Sequence, residues 1–421
     1  MYKVGTASTV ITPRESMWLA GYAVRTRPSN GTLSDLYAKA LAIEDVNGQR
    51  FVLITMDLIA ISREIGSAVA ARALQTHALP RERFLFSASH THYGPDIRPD
   101  KVEFFKIPPE FAAKIEPYGR WLTDALSELV DRALSSLQPV QLFARRTAAA
   151  FASNRRPISH GVDHDVPVLE ARDDAGRTRA IVFGYACHNT SIDPMDGRYS
   201  GDWAGFAQSQ LEEQHPGATA LFVTGAAADQ NPDPRYRLEL SQQYGAQLAD
   251  AVEASLAGDG ITIEGDLAVA YEDVPIAHEP LPSKAQLEAN LTTDDEPLKM
   301  KSRYLLRALS EGRAFPQTYP CPVHVVRLGR QLLLVAIVGE PVIDYAHRIK
   351  RDFAGVAPIV WVAGYCNDMF GYVPTRAVLS EGGYEGGRSV LWSALPMPFA
   401  ADTEDRVMDA VHRLVNEVNH Q

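Results

Sequence analysis

The segment Ser87-Ala-Ser-His90-Thr-His92-Tyr93-Gly-Pro-Asp96 follows directly on a short apolar run, Phe84 to Ser87, that reads as a strand. On an extended chain, residues i and i+2 share a face. His90 and His92 can therefore aim at one point, as two imidazoles do when they meet a metal or a substrate. The Gly-Pro pair closes the strand and leaves them at the sheet edge where α/β proteins keep their sites. Taken alone, the pair reads equally well as two solvated or hydrogen-bonded histidines. The same punctuation recurs along the chain. Ala180 to Ala186 ends in Cys187-His188, and Leu221 to Val223 ends in Thr224-Gly-Ala-Ala-Ala-Asp229-Gln-Asn231-Pro. Leu332 to Val338 ends in Gly339-Glu340-Pro, and Ile359 to Val362 runs into Asn367-Asp368-Met-Phe-Gly-Tyr372. Two or three imidazoles with one carboxylate make a ligand set for catalytic zinc that leaves a position for water.

Each residue also has a plainer role. His188 suits a core histidine satisfied by a backbone carbonyl, and Glu340 suits a charge at a helix N-terminus. Asp202, in Ser200-Gly-Asp202, reads as the N-cap of a helix from Trp203 to Gln214. Tyr372 by itself is a packing aromatic, and Asp57 either supports the site or caps a strand end. Cys187 and His188 are neighbours on a strand and point to opposite faces, which argues against a cysteine nucleophile.

Positioning these groups requires a sheet. Seven apolar, β-branched runs read as strands buried on both faces: Phe51–Met56, Phe84–Ser87, Ala180–Ala186, Ala218–Val223, Val323–Val326, Leu332–Val338 and Ile359–Val362. Helical spacing runs over Ser62–Leu74, Tyr118–Leu137, Trp203–Gln214 and Leu240–Ala257. The alternation predicts an α/β fold built on one large mixed sheet flanked by helices. Residues 274–320, rich in Pro, Glu, Lys and Ser, read as a polar excursion from a single domain spanning 1–421, with helices near Ser283–Asn290 and Lys299–Glu311. No internal repeat is visible. A net charge of −11 gives no general attraction to nucleic acid or anionic lipid. No apolar run reaches membrane-spanning length, and three scattered cysteines make no disulfide framework. With no signal peptide at the N-terminus, a cytoplasmic location is expected.

In order and spacing the motifs resemble the catalytic domain of the neutral (non-lysosomal) ceramidase family of zinc amidases. The likeness runs from Gly5-Thr-Ala-Ser-Thr-Val-Ile-Thr-Pro13 and Gly21-Tyr22 to Tyr372-Val373 and Tyr384-Glu385-Gly386, with Ala88-Ser-His-Thr-His-Tyr-Gly-Pro-Asp96 the most specific segment. The resemblance implies one zinc ion per chain, held by His90, His188, Glu340 and Tyr372. It implies that His92 contacts the substrate or the developing oxyanion, that Arg155 lies on the substrate side, and that Tyr384 hydrogen-bonds the tetrahedral intermediate.

The departures bear on substrate. Asn231 stands where the family carries a serine, so a serine-dependent step is excluded, while Asp229 or Asn231 is expected to orient the water or the leaving group. Tyr93 and Asp96 replace a small residue and a glycine and are expected to reshape the substrate wall. No immunoglobulin-like C-terminal domain is expected. Arg98, Lys101, Arg155, Arg156 and Arg376 lie near motif segments and point to a polar or anionic small molecule. The expectation is hydrolysis of an amide or ester bond in a small polar substrate by water activated on zinc, without nucleic acid or membrane insertion. A true ceramidase, a zinc-dependent lyase, isomerase or glycan-acting enzyme, and a non-catalytic binding protein are the alternatives.

Overall fold

In the computed structural model, which describes residues 1–421, one order of elements occurs three times. The first unit comprises β1 (Tyr2–Val10), β2 (Tyr37–Glu44), β3 (Arg50–Met56), α1 (Arg63–His77), β4 (Phe84–Ala88) and α2 (Ile115–Ser135). The second comprises β5 (Gln138–Ala148), β6 (Asp165–Arg172), β7 (Thr178–Tyr185), α3 (Asp202–Gln214), β8 (Thr219–Thr224) and α4 (Leu238–Leu256). The third begins with β9 (Leu267–Ala277) and carries two inserted helices, α5 (Lys284–Asn290) and α6 (Glu296–Ser310). It continues with β10 (Thr318–Leu328), β11 (Leu332–Ile337), α7 (Ile343–Asp352), β12 (Ile359–Ala363) and α8 (Thr403–His420). In every unit the first three strands pair antiparallel, and a helix then crosses over to set the fourth strand parallel to the third. The repeat that the sequence conceals is thus present in topology.

The first two units join edge to edge, Tyr2–Val4 against Gln138–Val140, in the strand order β8-β7-β6-β5-β1-β2-β3-β4. A short strand, Ile261–Thr262, pairs with β5 and completes a nine-stranded mixed sheet. The third unit forms a separate sheet, β9-β10-β11-β12, so the single sheet expected from sequence is two. Their inner faces share one core that includes Val4, Leu41, Leu142, Val182, Leu334 and Trp361, drawn from all three units. A Cβ at Gly184 would stand 2.7 Å from Trp361 Nε1, so glycine is what permits this close approach of the two sheets. Helices cover the outer faces: Leu122 and Leu129 pack with Val52 and Phe86, Leu248 with Phe183, and Leu414 with Val325. The result is four layers, helix–sheet–sheet–helix.

The continuous apolar strands lie close to where the sequence puts them, because burial on both faces leaves no room for polar residues. Those that sequence reading misses, such as β1 and β5, alternate buried and exposed positions and carry Lys, Gln and Arg. Helix α8 is missed too, although Val407, Val411, Leu414 and Val418 mark its buried face. The polar excursion spans 278–317, inside β9 and β10, and its first helix starts with a capping box between Ser283 and Gln286.

Candidate metal centre and substrate cavity

The C-terminal ends of the three fourth strands meet. Ala88 N donates to Tyr365 O (3.1 Å), Gly364 N to Thr224 O (2.9 Å), and Thr224 Oγ1 to Ala88 O (2.8 Å). The loops leaving this junction carry the chemistry. His90 lies past the end of β4 with φ +60°, a left-handed conformation that is sparsely populated for a non-glycine residue. Its N donates to Leu58 O (2.9 Å) and its ring is tied to Ile59 O (2.8 Å), which holds the bend. His90 and His92 therefore converge through a turn, not through the strand pleat that their spacing suggests.

Both His90 and His188 direct Nδ1 at backbone carbonyls, Ile59 O at 2.8 Å and Ala227 O at 2.7 Å. Those acceptors fix the proton on Nδ1 and leave Nε2 as a lone pair, the tautomer that metal-binding histidines adopt. Each Nε2 stands 3.4 Å from Glu340 Oε2, which is buried and has no hydrogen-bond partner. His92 Nε2 lies 3.4 Å from His90 Nε2, and one nitrogen from each of the three rings falls within a 4.8 Å cluster. Burial pushes the His90 pKa down to about 3 and that of His92 well below the usual range, so both rings are neutral. Burial pushes the Glu340 carboxyl up, whereas positive charge at the positions of the His90 and His188 rings, and the Arg155 guanidinium, pull it below the usual carboxylate range. An unpartnered buried carboxylate oxygen facing two nitrogen lone pairs is costly unless a cation joins them. The donor set fits a metal ion.

Tyr372 pairs with Glu340 across a short parallel bridge, and its hydroxyl accepts a hydrogen bond from Arg155 Nη2 at 2.9 Å. Arg155 is fixed in turn by Glu385, which takes Nε at 2.8 Å. Behind His92, Gly21 has φ +95°, and a Cβ there would sit 2.3 Å from His92 Nδ1. Only glycine admits the ring.

A cavity of about 290 Å³ opens over these groups. His90, His92, His188 and Glu340 line its floor, Phe370, Trp392, Leu395 and Phe399 form an apolar wall, and Arg98, Lys101, Arg155 and Arg235 add four cationic side chains to the lining. Tyr384 stands at the rim, 46% exposed, with its ring edge-on to Tyr372 at 5.3 Å.

Other residues singled out from sequence lie elsewhere. Asp229 is fully buried and occupied by Asn154 Nδ2, Gln230 Nε2 and Ile343 N, so it braces the scaffold and faces no substrate. Asn231 lies behind the wall and touches it through Arg155 Nη1 at 3.4 Å. Tyr93 is buried with its hydroxyl on Ile192 O, outside the cavity wall. Asp96 is buried as well and reaches the cavity only through Arg98, whose Nε and Nη2 it accepts at 2.9 and 2.8 Å. Asp202 stands at the start of α3 with φ +51°, and its carboxylate takes the Trp203 N–H of the first turn at 2.7 Å together with Ser191 N and the Ser241 hydroxyl, so beyond the cap role it ties the His188 loop to α4. Asp57 caps the end of the β2–β3 pair at Tyr37 N (3.0 Å). Arg156 pairs with Glu381 and Glu385, and Arg376 with Asp405, both outside the cavity. Sequence reading missed Tyr365, whose ring packs on His90 at 4.4 Å, and the apolar wall at 387–399, which lacks any periodic signal.

The family model for the N-terminal region of neutral/alkaline non-lysosomal ceramidases matches residues 2–234. The chain belongs to this family. Neutral ceramidase A of Dictyostelium discoideum is 24% identical over 246 residues, 53% of this chain. The chain spans 34% of the length of that relative. The fold resembles the crystal structure of neutral ceramidase from Pseudomonas aeruginosa, with TM-score 0.76 at 20% identity, over 98% of this chain and 74% of that one. It also resembles a ceramidase complexed with C2, with TM-score 0.75 at 20% identity, over 98% and 76% of the two chains. The third unit, which carries Glu340 and Tyr372, lies outside the stretch matched by the family model and inside the ceramidase fold.

Proposed function

We propose that this chain is a zinc-dependent hydrolase that cleaves an amide or ester bond in a small, polar acyl compound. One observation carries the metal: the unpartnered Glu340 Oε2 lies 3.4 Å from Nε2 of both His90 and His188, whose other ring nitrogens are committed to carbonyls. His90, His188, Glu340 and Tyr372 would hold the ion. A zinc ion bound there supplies Lewis acidity and lowers the pKa of a water ligand to about 7.

The chain's own residues account for the rest. His92, neutral and walled off at Nδ1 by Gly21, offers Nε2 to the carbonyl oxygen of a bound substrate. Tyr384 offers a second donor from the rim, and donors placed where negative charge develops stabilise the transition state. Arg155, clamped by Glu385, holds the Tyr372 hydroxyl in place. Asn231 cannot act as a nucleophile, so its place behind Arg155 is one of support.

A volume of about 290 Å³ lies at the lower end of the range for small-molecule pockets, ~300–1,000 Å³, and supports a small substrate. The apolar wall of Phe370, Trp392, Leu395 and Phe399 favours the second reading, cleavage of ceramide itself. Metal analysis of the purified protein, followed by a product screen over short acyl amides, esters, lactones and micellar ceramide, tests both. Stoichiometric zinc with release of an acid plus an amine or alcohol is expected. Unsaturated or isomerised products would replace hydrolysis by lyase or isomerase chemistry. Ceramide cleaved faster than every small substrate would overturn the substrate assignment.

A further inference from the structure

Three of the cations that line the cavity, Arg98, Lys101 and Arg235, have no part in the chemistry described so far. Arg98 is gripped in a fork by the fully buried Asp96 carboxylate, while its Nη1 makes no hydrogen bond within the protein. The guanidinium carbon lies 5.7 Å from the ring of Phe105, another cavity residue, so the plane is held from two directions. Lys101, on the helical turn Pro99–Lys101, donates to Trp392 O at 3.2 Å and keeps further N–H groups; its nearest carboxylate, Asp100, is 3.6 Å away. Arg235 lines the same cavity and has no carboxylate within ion-pair distance. The only acidic side chains lining the cavity are Glu340, at the metal centre, and Glu385, already shared by Arg155 and Arg156. Burial lowers the Lys101 pKa, with Asp100 opposing the shift and Arg98 adding to it. This excess of cations sits in a chain of net charge −11.

Resting on the hydrolase reading, we propose that Arg98 and Lys101 form a recognition site for an anionic group on the substrate, which is an acyl amide or ester bearing a carboxylate or a phosphate. Both residues line the cavity that holds His92 and Glu340, so a volume of about 290 Å³ confines the anion and the scissile carbonyl to one small molecule. Asp96 spends two arms of the fork and orients the third, so little side-chain entropy is lost when an anion binds. A neutral substrate would dehydrate Arg98 and Lys101 without repaying them, and that cost discriminates against neutral acyl compounds. The role of Asp96 is positioning, through Arg98.

The test uses the metal-loaded full chain and three probes: N-hexanoylglycine, its neutral amide N-hexanoylglycinamide, and N-hexanoyl-O-phosphoethanolamine. Stopped-flow tryptophan fluorescence reads binding before turnover, since Trp392 lines the cavity, and acid release reads kcat/KM. At least one anionic probe is expected to surpass the neutral amide in both readouts by at least about tenfold, the scale of one charge-assisted hydrogen bond. The better of the carboxylate and phosphate arms identifies the group. Arg98→Met should collapse that ratio and Arg98→Lys restore part of it. Because Arg98→Met strands a buried Asp96, the double variant Asp96→Asn/Arg98→Met repeats the measurement without an unpaired charge. A wild-type ratio near one, no binding of either anion, or a ratio unchanged in the single and double variants would overturn the proposal. Arg98-dependent anion binding without hydrolysis would uphold the anion site and defeat the hydrolase reading.

Discussion

His90 and His188 each commit Nδ1 to a carbonyl and Nε2 to a common centre, so the loss of either ring removes one oriented ligand from that centre. His90→Ala and His188→Ala are each expected to lose most of the bound zinc, measured by mass spectrometry of the metal after gel filtration. Full occupancy in either variant would defeat the ligand assignment. His92 separates two ligand sets, because its Nε2 is near enough to belong to the cluster. If Tyr372 is the fourth ligand, His92→Ala keeps the metal and loses turnover; loss of the metal would make His92 a ligand. Tyr384→Phe should keep zinc and drop kcat by ~10²-fold or more, the cost of one oxyanion donor in other enzymes. An unchanged kcat would assign that ring to packing at the rim.

At the scale of elements, the loops are held by buried polar braces. Asp229 joins the Asn154 loop to the start of α7 through three donors, so Asp229→Ala strips Ile343 N of its acceptor and leaves Asn154 Nδ2 and Gln230 Nε2 only Gly161 O to share. A loss of about 2–4 kcal/mol in denaturant unfolding is expected; wild-type stability would show that water satisfies them. The inserted helix α6 holds the apolar wall of the cavity in place, because its almost fully buried Lys301 donates to Ser393 O at 2.8 Å and to Leu395 O. Burial lowers the Lys301 pKa to about 7 from an ordinary 10.5. A neutral amine still has two N–H groups for the two carbonyls. Between pH 7 and 10 the unfolded chain therefore binds more protons at this position than the folded one, and stability rises with pH across that window. Lys301→Met should flatten the rise in thermal midpoint from pH 7 to 9; an identical slope would show that Lys301 stays charged.

Across the whole molecule, each unit supplies part of the centre: His90 and His92 from the first, His188 and Arg155 from the second, Glu340 and Tyr372 from the third. The core between the two sheets is likewise drawn from all three. A fragment ending at residue 257 would expose Leu41, Leu142 and Val182 to water and lack two of the four proposed ligands. It is expected to bind a hydrophobic dye and to unfold without a sharp transition. A cooperative, zinc-binding fragment would mean that the third unit is dispensable for folding.

The strands Phe84–Ala88, Leu332–Ile337 and Ile359–Ala363, and the polar groups that follow them, were legible in the sequence because a strand buried on both faces excludes every polar residue until it reaches the sheet edge. The same logic marked the polar groups at the strand ends, His90, His188 and Glu340 among them, as converging on one sheet edge, whereas the ligand set that adds Tyr372 followed from the resemblance to the ceramidase family. Polar strands such as β5 gave no such signal, since half of their residues meet solvent. The threefold order of elements was hidden because topology constrains which positions are buried and leaves their identities free. Tertiary structure alone separated Asp229 from the cavity, placed Asp96 behind Arg98, and set the His90 turn at φ +60°. Those outcomes depend on which loops from three distant segments meet at one junction, and no local pattern in the chain encodes that meeting.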